Sequence, residues 1–372
     1  MMGMIGVKRV LEFLKREVVM TVSAVMALGS MLLAPPDAGY AEYVDWDVIM
    51  LLFSLMAVVG ALKKCAVFDV ISAALLRRGG DLRRLGLLLT LACFCVSMVV
   101  TNDVALITFV PLTVGMLSGA GAGSLIYVVT LETIAANLGS MATPIGNPQN
   151  LYLYSRYSMS GGEFAAAVMP IAGLSLMLLL AACLPIRRKK LAVPPTTPVR
   201  LPAFRFCVYL ALLTLCILSV FRVVPKYACC AAVAAALLIM ERRAIMEVDY
   251  ALLVTFICFF VFVGNISRLE GVSGFISGAV GGRELEAGIL ASQVISNVPA
   301  ALMLSGFTEN AAALMRGVNI GGLGTLVASL ASLISFKAYN KAPGARPGRY
   351  IACFTGVNAA FLAVIYVFAR LI

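Results

Sequence analysis

Long apolar segments recur from one end of this chain to the other, and they limit its fold more than any other feature. Each approaches the roughly 20 residues that an α-helix needs to cross the hydrocarbon core of a bilayer. Charged residues make up only 13% of the 372, whereas a soluble domain carries about 25%. No hydrophilic stretch is long enough for a separate soluble domain. The sequence therefore predicts an all-α polytopic membrane protein.

Charge and residue usage exclude several classes of function. The net charge of +11 comes from short basic clusters between apolar segments, a pattern that orients membrane proteins and is not typical of a nucleic-acid-binding surface. Histidine is absent and the 10 cysteines show no metal-binding spacing, so the commonest general base and metal ligands are missing. No Walker motif is present. We expect no enzyme, no cofactor or metal other than a bound Na⁺, and no nucleic-acid partner.

Nine apolar segments are predicted to span the membrane, two of them interrupted by glycine or proline. They are 17–34, 46–63, 124–153, 164–186, 206–222, 227–241, 249–267, 311–337 and 350–370. Two further apolar segments, 86–118 and 287–308, carry polar residues at their centres and are interpreted as re-entrant hairpins. With that interpretation the N-terminus and all the basic loops lie in the cytoplasm. The loop 35–45, which has acidic but no basic residues, then lies outside.

The first apolar segment follows a basic start and ends before two prolines. A signal peptide is one interpretation, but the run is longer than a usual signal sequence. An uncleaved N-terminal transmembrane helix within 1–43 is therefore favoured. We expect the protein in a prokaryotic inner membrane.

The chain contains two similar halves, 44–186 and 206–370, which a proline-rich cytoplasmic linker at 187–205 separates. Three matches occur in the same order in both halves. The matched pairs are Asp45 and Asp249, Asn102 and Asn297, and the segments 137–146 and 319–328. The predicted topology places Asp45 outside and Asp249 inside, so the two copies are inverted. Inverted repeats build related half-sites near the middle of the membrane, which open to alternate sides.

Each copy is predicted to hold a hairpin followed by a broken helix. These are 86–118 and 124–153 in the first copy, and 287–308 and 311–337 in the second. Pro144 and Pro148 interrupt the first helix, and Gly321, Gly322 and Gly324 interrupt the second. A broken helix offers free carbonyls to a cation and a positive N-terminal end to an anion. A kink used only for packing is the structural alternative.

Polar side chains at the tips and breaks form the candidate transport site. The tips Thr101-Asn102-Asp103 and Ser296-Asn297 suit helix capping, Na⁺ binding or binding of substrate oxygens. Asp103 is the leading candidate for cation or proton coupling, because a carboxylate deep in a membrane is costly unless it is paired or hydrated. Asn137, Asn150 and Asn319 are assigned to the same role. Glu132 and Arg316 are secondary candidates, with structural bonding and snorkelling as their alternatives.

These motifs resemble the ion transporter superfamily, which includes divalent anion:sodium symporters, citrate transporters and arsenite permeases. The resemblance covers roughly 45–370 and rests on the paired tip asparagines and the break at 143–150. It implies a homodimer with a scaffold and a moving transport domain. It also implies sodium and substrate sites at Thr101, Asn102, Thr143, Asn147, Ser296, Asn297 and Thr325. Asp103 and Val298-Pro299 depart from the symporter tips, and the first tip looks more like that of arsenite permeases.

We therefore expect a secondary transporter that moves a small anion, a di- or tricarboxylate or an inorganic oxyanion, by alternating access with Na⁺ or H⁺. The alternative is an arsenite or antimonite efflux permease, or a cation/proton antiporter, of the same superfamily. A passive channel is disfavoured because a channel does not require inverted broken helices.

Overall fold

A computed structural model describes residues 17–37, 39–117, 119, 121–190 and 200–372. This part of the chain forms nineteen α-helices and one short 3₁₀ helix, and it contains no strand. The helices are α1 Val18–Met31, α2 Tyr40–Tyr43, α3 Trp46–Lys64, α4 Val67–Gly79, α5 Leu82–Ser97, α6 Asn102–Leu117, α7 Ala122–Ser140, α8 Pro148–Arg156, α9 Gly161–Cys183, α10 Ala203–Val220, α11 Lys226–Met240, α12 Arg242–Met246, α13 Tyr250–Ser267, α14 Glu270–Val280, α15 Glu284–Ile295, α16 Asn297–Leu304, α17 Ala311–Gly321, α18 Leu330–Tyr339 and α19 Pro347–Leu371. The predicted basic start of the chain and residues 191–199 of the linker lie outside the described residues.

Six helices of the described chain are long and apolar enough to cross a membrane. They are α3, α7, α9, α10, α13 and α19. The shorter apolar helices α1, α6 and α11 have 14, 16 and 15 residues. The predicted all-helical membrane fold is confirmed.

The two predicted hairpins are helix pairs joined by tight turns. Helices α5 and α6 meet at residues 98–101, and α15 and α16 meet at Ser296, whose φ of 74° breaks the helix. The first arms begin at Leu82 and Glu284, a few residues before the predicted starts at 86 and 287. In the first hairpin Asp81 caps this early start by accepting a hydrogen bond from the Arg84 amide at 3.0 Å.

Four helices were not predicted: the short α2 and α12, and also α4 and α14, each of which lies just before a hairpin. Helix α4 occupies part of the segment interpreted as a basic loop at 63–86, and α14 occupies the equivalent place in the second copy. Helix α4 has Asp69 in its first turn and Arg77 and Arg78 in its last, which complements the helix dipole. Helices α4 and α14 were missed because, at 13 and 11 residues, they are too short to give a spanning signal.

Both predicted broken helices are broken. In the first copy α7 ends at Ser140 and α8 begins at Pro148. In the second copy α17 ends at Gly321 and α18 begins at Leu330, with the 3₁₀ turn Leu326–Ala328 between them. Helix α18 runs two residues beyond the predicted end at 337.

Buried apolar side chains form two large clusters. The first, with Leu55 on α3, Cys216 on α10 and Phe256 on α13, also includes side chains of α8 and α16. The second, with Phe109 on α6 and Phe354 on α19, also includes side chains of α5, α7 and α15. Side chains of the broken helices belong to both clusters, α8 to the first and α7 to the second.

Candidate functional site

Each hairpin tip lies against the break of its own copy. The Thr143 hydroxyl donates a hydrogen bond to the Met98 carbonyl at the first tip. The Thr325 hydroxyl donates to the Gln293 carbonyl, 3.5 Å away, at the second. Thr143 and Thr325 are equivalent in the alignment of the two copies, and so are Met98 and Gln293. The same contact is therefore made twice.

The glycine of each Asn-x-Gly motif allows the broken helix to approach its hairpin closely. A Cβ atom at Gly139 would lie 2.2 Å from the Phe94 carbonyl oxygen and 2.7 Å from the Ser97 hydroxyl. A Cβ atom at Gly321 would lie 2.7 Å from the hydroxyl of Ser292, the residue equivalent to Ser97. Both helices therefore need glycine at this position.

The two breaks are joined to each other by reciprocal hydrogen bonds. In one direction Ser329 donates to Asn137 Oδ1 at 3.1 Å, and Asn137 Nδ2 lies 3.5 Å from the Ser332 hydroxyl. In the other, Asn147 donates to Asn319 Oδ1 at 3.2 Å.

Asn319 also donates to Asn150 Oδ1 at 2.6 Å, which completes the second direction. Continuing the alignment of the two copies pairs Asn147 with Ser329 and Asn150 with Ser332. Asn137 and Asn319 are equivalent in the two copies, and each contacts the same two positions of the opposite break. The side chains involved are at most 4% exposed.

The first tip is also tied to this network. Asn102 donates to Asn137 Oδ1 at 3.1 Å, and its backbone amide donates to the Gly146 carbonyl at 3.3 Å. Thr101 caps α6 through the Val104 amide. At the second tip Asn297 accepts from the Val298 amide at 3.0 Å, and the Ser296 hydroxyl lies 3.4 Å from Asn297 Oδ1. In this conformation these polar side chains therefore cap helices or form hydrogen bonds between the tips and the breaks.

Gln293 is a site residue that the sequence analysis missed. Its side-chain amide donates to the carbonyls of Gly321 and Leu323, both at 2.8 Å, and its Oε1 accepts from the Thr325 amide at 3.0 Å. One side chain thus holds three backbone groups of the second break. Its equivalent, Met98, has no such capacity, and the first break is instead held by Asn150, which donates to the Met141 and Thr143 carbonyls.

The two tips, the two breaks and the start of α13 line one small, partly open cavity, which we call the tip cavity. Its wall comprises Asn102, Asp103, Pro148, Gln149, Asp249, Leu252, Asn297, Val298, Ser329, Leu330 and Ala331. Its volume of about 20 Å³ is close to the space that one water molecule needs. Most of the wall consists of equivalent pairs from the two copies, such as Asn102 with Asn297 and Gln149 with Ala331.

Four helices begin at the tip cavity. These are α6, α8, α16 and α18, which start at Asn102, Pro148, Asn297 and Leu330. The first amide groups of a helix have no partner within the helix, and its N-terminus carries a partial positive charge. The cavity therefore combines four positive helix ends with polar side chains from both copies.

Three oxygen-bearing side chains in the wall stand out. Asp103, half-buried, follows the first tip asparagine, and Asp249 caps α13 by accepting from the Leu252 amide at 2.9 Å. Gln149 is 2% exposed, and its Oε1 is buried without a hydrogen-bond partner. Neither Gln149 nor Asp249 was among the predicted site residues, although Asp249 was identified as the start of a repeated helix.

The two secondary candidates lie away from the tip cavity. Glu132, fully buried in α7, accepts a hydrogen bond from the Thr113 hydroxyl of α6, and its Oε2 has no partner. Arg316 donates to the Ala167 carbonyl at 2.9 Å and lines a different cavity with Glu163 and Glu309. The structure thus brings together the predicted tip and break residues but not these two.

A larger cavity lies further along α8. Tyr152 and Arg156, one and two turns beyond Pro148, line a space of about 430 Å³. Tyr152 is 3% exposed, and its hydroxyl lies 2.7 Å from that of Ser305. Tyr152, one turn along α8 from the tip cavity, therefore lines a space large enough for a small organic anion.

Comparison with known proteins places this chain among membrane transporters. The model of a family described as "Citrate transporter" matches residues 4–331. Inner membrane protein YbiR of Escherichia coli is 33% identical over 304 residues, which cover 80% of this chain and 81% of YbiR. Uncharacterized transporter MJ0456 of Methanocaldococcus jannaschii is 30% identical over 331 residues, covering 88% of this chain and 90% of the relative.

The fold is similar to that of a solved transporter. The crystal structure of the Alcanivorax borkumensis YdaH transporter, which has an unusual topology, superposes with a TM-score of 0.58. The match covers 89% of this chain and 86% of YdaH at 15% sequence identity. The family and these relatives are transporters rather than enzymes. Such proteins lie in a lipid bilayer and move a solute across it. The chain is an integral membrane protein that belongs to the citrate transporter family.

Proposed function

We propose that this protein is a secondary active transporter that moves a small anion by alternating access, coupled to Na⁺ or H⁺. The observation that carries the proposal is the convergence of four helix N-termini, two from each inverted copy, on one cavity. Such ends bind carboxylate and oxyanion groups without a basic side chain. Di- or tricarboxylates and inorganic oxyanions are the proposed substrates, in keeping with the family.

Alternating access requires that the site open to one side at a time. In this conformation the tip cavity has room for about one water molecule, so a carboxylate substrate needs it to widen. The larger cavity lined by Tyr152 and Arg156 supplies substrate-sized space beside α8. We propose that widening follows when the first hairpin tip, whose helix α6 belongs to the second apolar cluster, moves relative to α13 and α3 of the first.

The carboxylate of Asp103 accounts for coupling between the anion and a cation. Asp103 lies beside the helix ends that would bind the anion. A negative substrate and an ionised carboxylate repel each other at this distance unless a cation or a proton neutralises one charge. Binding of the anion is therefore linked to binding of the cation, and Asp103 is the proposed coupling residue.

A second candidate function, efflux of an uncharged oxyacid of the arsenite type, is favoured by one observation. Asp103 and Asp249 are the only charged side chains in the wall of the tip cavity. Two carboxylates without a basic partner oppose a multiply charged anion more than a neutral acid. Proton exchange at Asp103 would then drive export.

Counterflow in proteoliposomes tests the proposal. Vesicles preloaded with citrate, succinate, sulfate or arsenite are given the labelled solute outside, with imposed Na⁺ or pH gradients. We expect saturable, trans-stimulated uptake of at least one solute, which one gradient accelerates. Asp103→Asn should keep exchange but lose the response to the gradient, whereas the capping variant Asp81→Asn should keep both. Unsaturated flux without trans-stimulation would show a channel, and an unaltered gradient response in Asp103→Asn would remove the coupling assignment.

We further propose an inner-membrane location, a cytoplasmic N-terminus and a homodimer, from the distribution of basic residues and the family resemblance. Topology can be tested with single cysteines introduced as Ser124→Cys and Ser160→Cys in a background without the ten native cysteines. The broken helix α7–α8 separates these positions. Labelling by a membrane-impermeant maleimide from opposite sides is expected, and labelling from one side would refute the topology.

A further inference from the structure

We propose that the larger cavity lined by Tyr152 and Arg156, here called the α8 cavity, binds a singly charged carboxylate through Arg156. The ligand class is a monocarboxylate, or a dicarboxylate that carries one proton. This inference rests on the proposed function, because it names the ionic form of the substrate. Its new elements are Arg156 and Glu42, neither of which lies in a hairpin tip or a helix break.

Arg156 is a charged side chain that helix stability alone does not explain. It is exposed in the last turn of α8, where a cation stabilises the C-terminus of a helix. That end already has a cationic partner, because Arg222 donates to the Ser158 and Tyr154 carbonyls at 3.2 and 3.5 Å. Among the described residues Arg156 forms no ion pair. Its guanidinium group is therefore available to an anionic ligand.

One face of α8 leads from the α8 cavity to the tip cavity. Pro148, Tyr152 and Arg156 follow one another four residues apart, which places them on the same face of the helix. Pro148 lines the tip cavity, whereas Tyr152 and Arg156 line the α8 cavity. Arg156 lies about 12 Å from Pro148 along the helix axis. A carboxylate held by Arg156 is therefore one small organic molecule away from the proposed transport site.

The wall of the α8 cavity suits a small organic acid. Its volume of about 430 Å³ is within the range of ligand pockets. Tyr152, Phe260 and Val263 form an apolar part of the wall, in which the Tyr152 and Phe260 ring centroids are 5.6 Å apart. Arg156 offers the paired N–H donors that match a carboxylate. The cavity thus combines a guanidinium group with an apolar surface for a hydrocarbon chain.

Two carboxylates in the same wall limit the charge of the ligand. Asp45 caps α3 by accepting a hydrogen bond from the Val48 amide at 3.0 Å, and Glu42 is exposed on α2. Together with Arg156, they are the charged side chains of the described chain that line this cavity. Arg156 neutralises one ligand carboxylate, whereas a second ionised group meets only acidic side chains. A singly charged ligand is therefore favoured over a dianion.

Three probes of similar size test the recognition of charge. At pH 8 succinate is a dianion, succinamate is a monoanion because an amide replaces one carboxylate, and succinamide is uncharged. Each is titrated into purified full-length protein in detergent at constant ionic strength. The rise of the unfolding midpoint gives the dissociation constant. We expect wild type to bind succinamate about fivefold more tightly than succinate, because one charge repulsion is absent, and not to bind succinamide.

Two variants assign these effects to individual side chains. Arg156→Gln should weaken succinamate binding about tenfold or more, because the charge-assisted pair is lost. Its control is Arg283→Gln, which alters an exposed arginine outside the cavity and should bind like wild type. Glu42→Gln should narrow the preference for succinamate to about twofold, because it removes one of the two acidic charges. Its control, Glu270→Gln, is also exposed and outside the cavity and should keep the preference.

Counterflow links this site to transport. With a solute that wild type exchanges in proteoliposomes, Arg156→Gln should raise the KM for uptake about tenfold and leave the maximal rate within about twofold, because Arg156 holds the substrate outside the tip cavity. An unchanged KM would contradict a role of Arg156 in substrate binding.

Equal binding of succinamate by wild type and Arg156→Gln, or no binding of succinamate by wild type, would overturn the inference. A wild-type preference for succinate over succinamate would overturn the assignment of ligand charge. Failure here leaves the proposed function standing if wild-type counterflow is saturable and trans-stimulated. Absence of wild-type counterflow would instead remove the proposed function, so the two failures are distinguishable.

Discussion

The first and second copies of the hairpin-and-break unit make the same backbone contacts but stabilise them differently. Thr143 and Thr325 bond equivalent carbonyls, and Gly139 and Gly321 approach equivalent serines. Side chains that hold the breaks differ: Asn150 serves the first, and Gln293 the second. The backbone contacts are therefore the same in both copies, whereas the side chains that hold the breaks differ.

Charge separates the copies further. The first tip carries Asp103, and the equivalent position of the second tip is Val298. Both line the tip cavity, so the two tips contribute one ionisable and one apolar side chain to it. The common features explain how the site is built, and the unequal ones indicate where ion coupling resides. Variants at equivalent positions sharpen this comparison.

The largest effect is expected for Gly139→Ala. Its new Cβ would lie 2.2 Å from a backbone carbonyl, which cannot move away cheaply, so overpacking should cost about 3 kcal/mol or more of unfolding free energy. Gly321→Ala, whose nearest neighbour is the Ser292 side chain at 2.7 Å, should cost less. Gly173→Ala, with nothing within 4 Å, is the control. Thermal unfolding would contradict the close approach if all three variants behaved alike.

Gln293→Leu should have the next largest effect. It removes the donors to the Gly321 and Leu323 carbonyls and the acceptor for the Thr325 amide, and each unsatisfied buried group costs about 1–3 kcal/mol. The same change at the equivalent position, Met98→Leu, should cost less than about 1.5 kcal/mol. Unfolding midpoints measure both. Similar losses would show that Gln293 does not hold the second break.

The reciprocal hydrogen bonds between the two breaks should appear as an interaction free energy between residues of the two copies. A double-mutant cycle of Asn147→Ala with Asn319→Ala should give an interaction free energy of about 1 kcal/mol, because the two side chains share a hydrogen bond. A second cycle, Ser329→Ala with Asn137→Ala, tests the opposite direction and should give a similar value. Additive effects in both cycles would mean that the breaks are not joined through these side chains.

The smallest effect on stability is expected for the two equivalent threonines, Thr143 and Thr325, whose hydroxyl hydrogen bonds differ in exposure. Thr143 is half-buried and its hydroxyl donates to the Met98 carbonyl, so Thr143→Ala should lose about 1 kcal/mol of stability. Thr325 is exposed and its hydroxyl bond is 3.5 Å long, so Thr325→Ala should change stability by about 0.5 kcal/mol or less. Thermal unfolding with Val in place of Thr at each site is the control for packing.

The hairpins and the helix breaks could be predicted from the sequence because the residues that mark them are close together in the chain. Proline and glycine mark the breaks, and a polar centre in an apolar segment marks each hairpin. The asparagine and glycine of the matched segments 137–146 and 319–328 occupy equivalent places. The side chains predicted to act as ligands at the breaks mostly bond one another instead, as Asn150 and Asn319 do. Which oxygens remain free depends on tertiary distances that spacing does not encode.

The residues that sequence reasoning missed lacked a local signal. Gln149 and Gln293 lie in helices, where glutamine is an ordinary residue. Asp249 begins a helix, and its capping role accounts for it without any other function. Each becomes a candidate only once folding places it against a break or a cavity. Helices α4 and α14 were missed for a different reason, because they are too short to give a spanning signal.

The central claim is that both copies contribute to one transport site, and counterflow of tip variants tests it most directly. Asn102→Ala and Asn297→Ala alter the equivalent tip residues, and Asn340→Ala, at an exposed position, is the control. With a solute that the wild type exchanges in proteoliposomes, both tip variants should lose most trans-stimulated uptake, while the control retains it. Full exchange by either tip variant, with the other inactive, would contradict a site shared by the two copies.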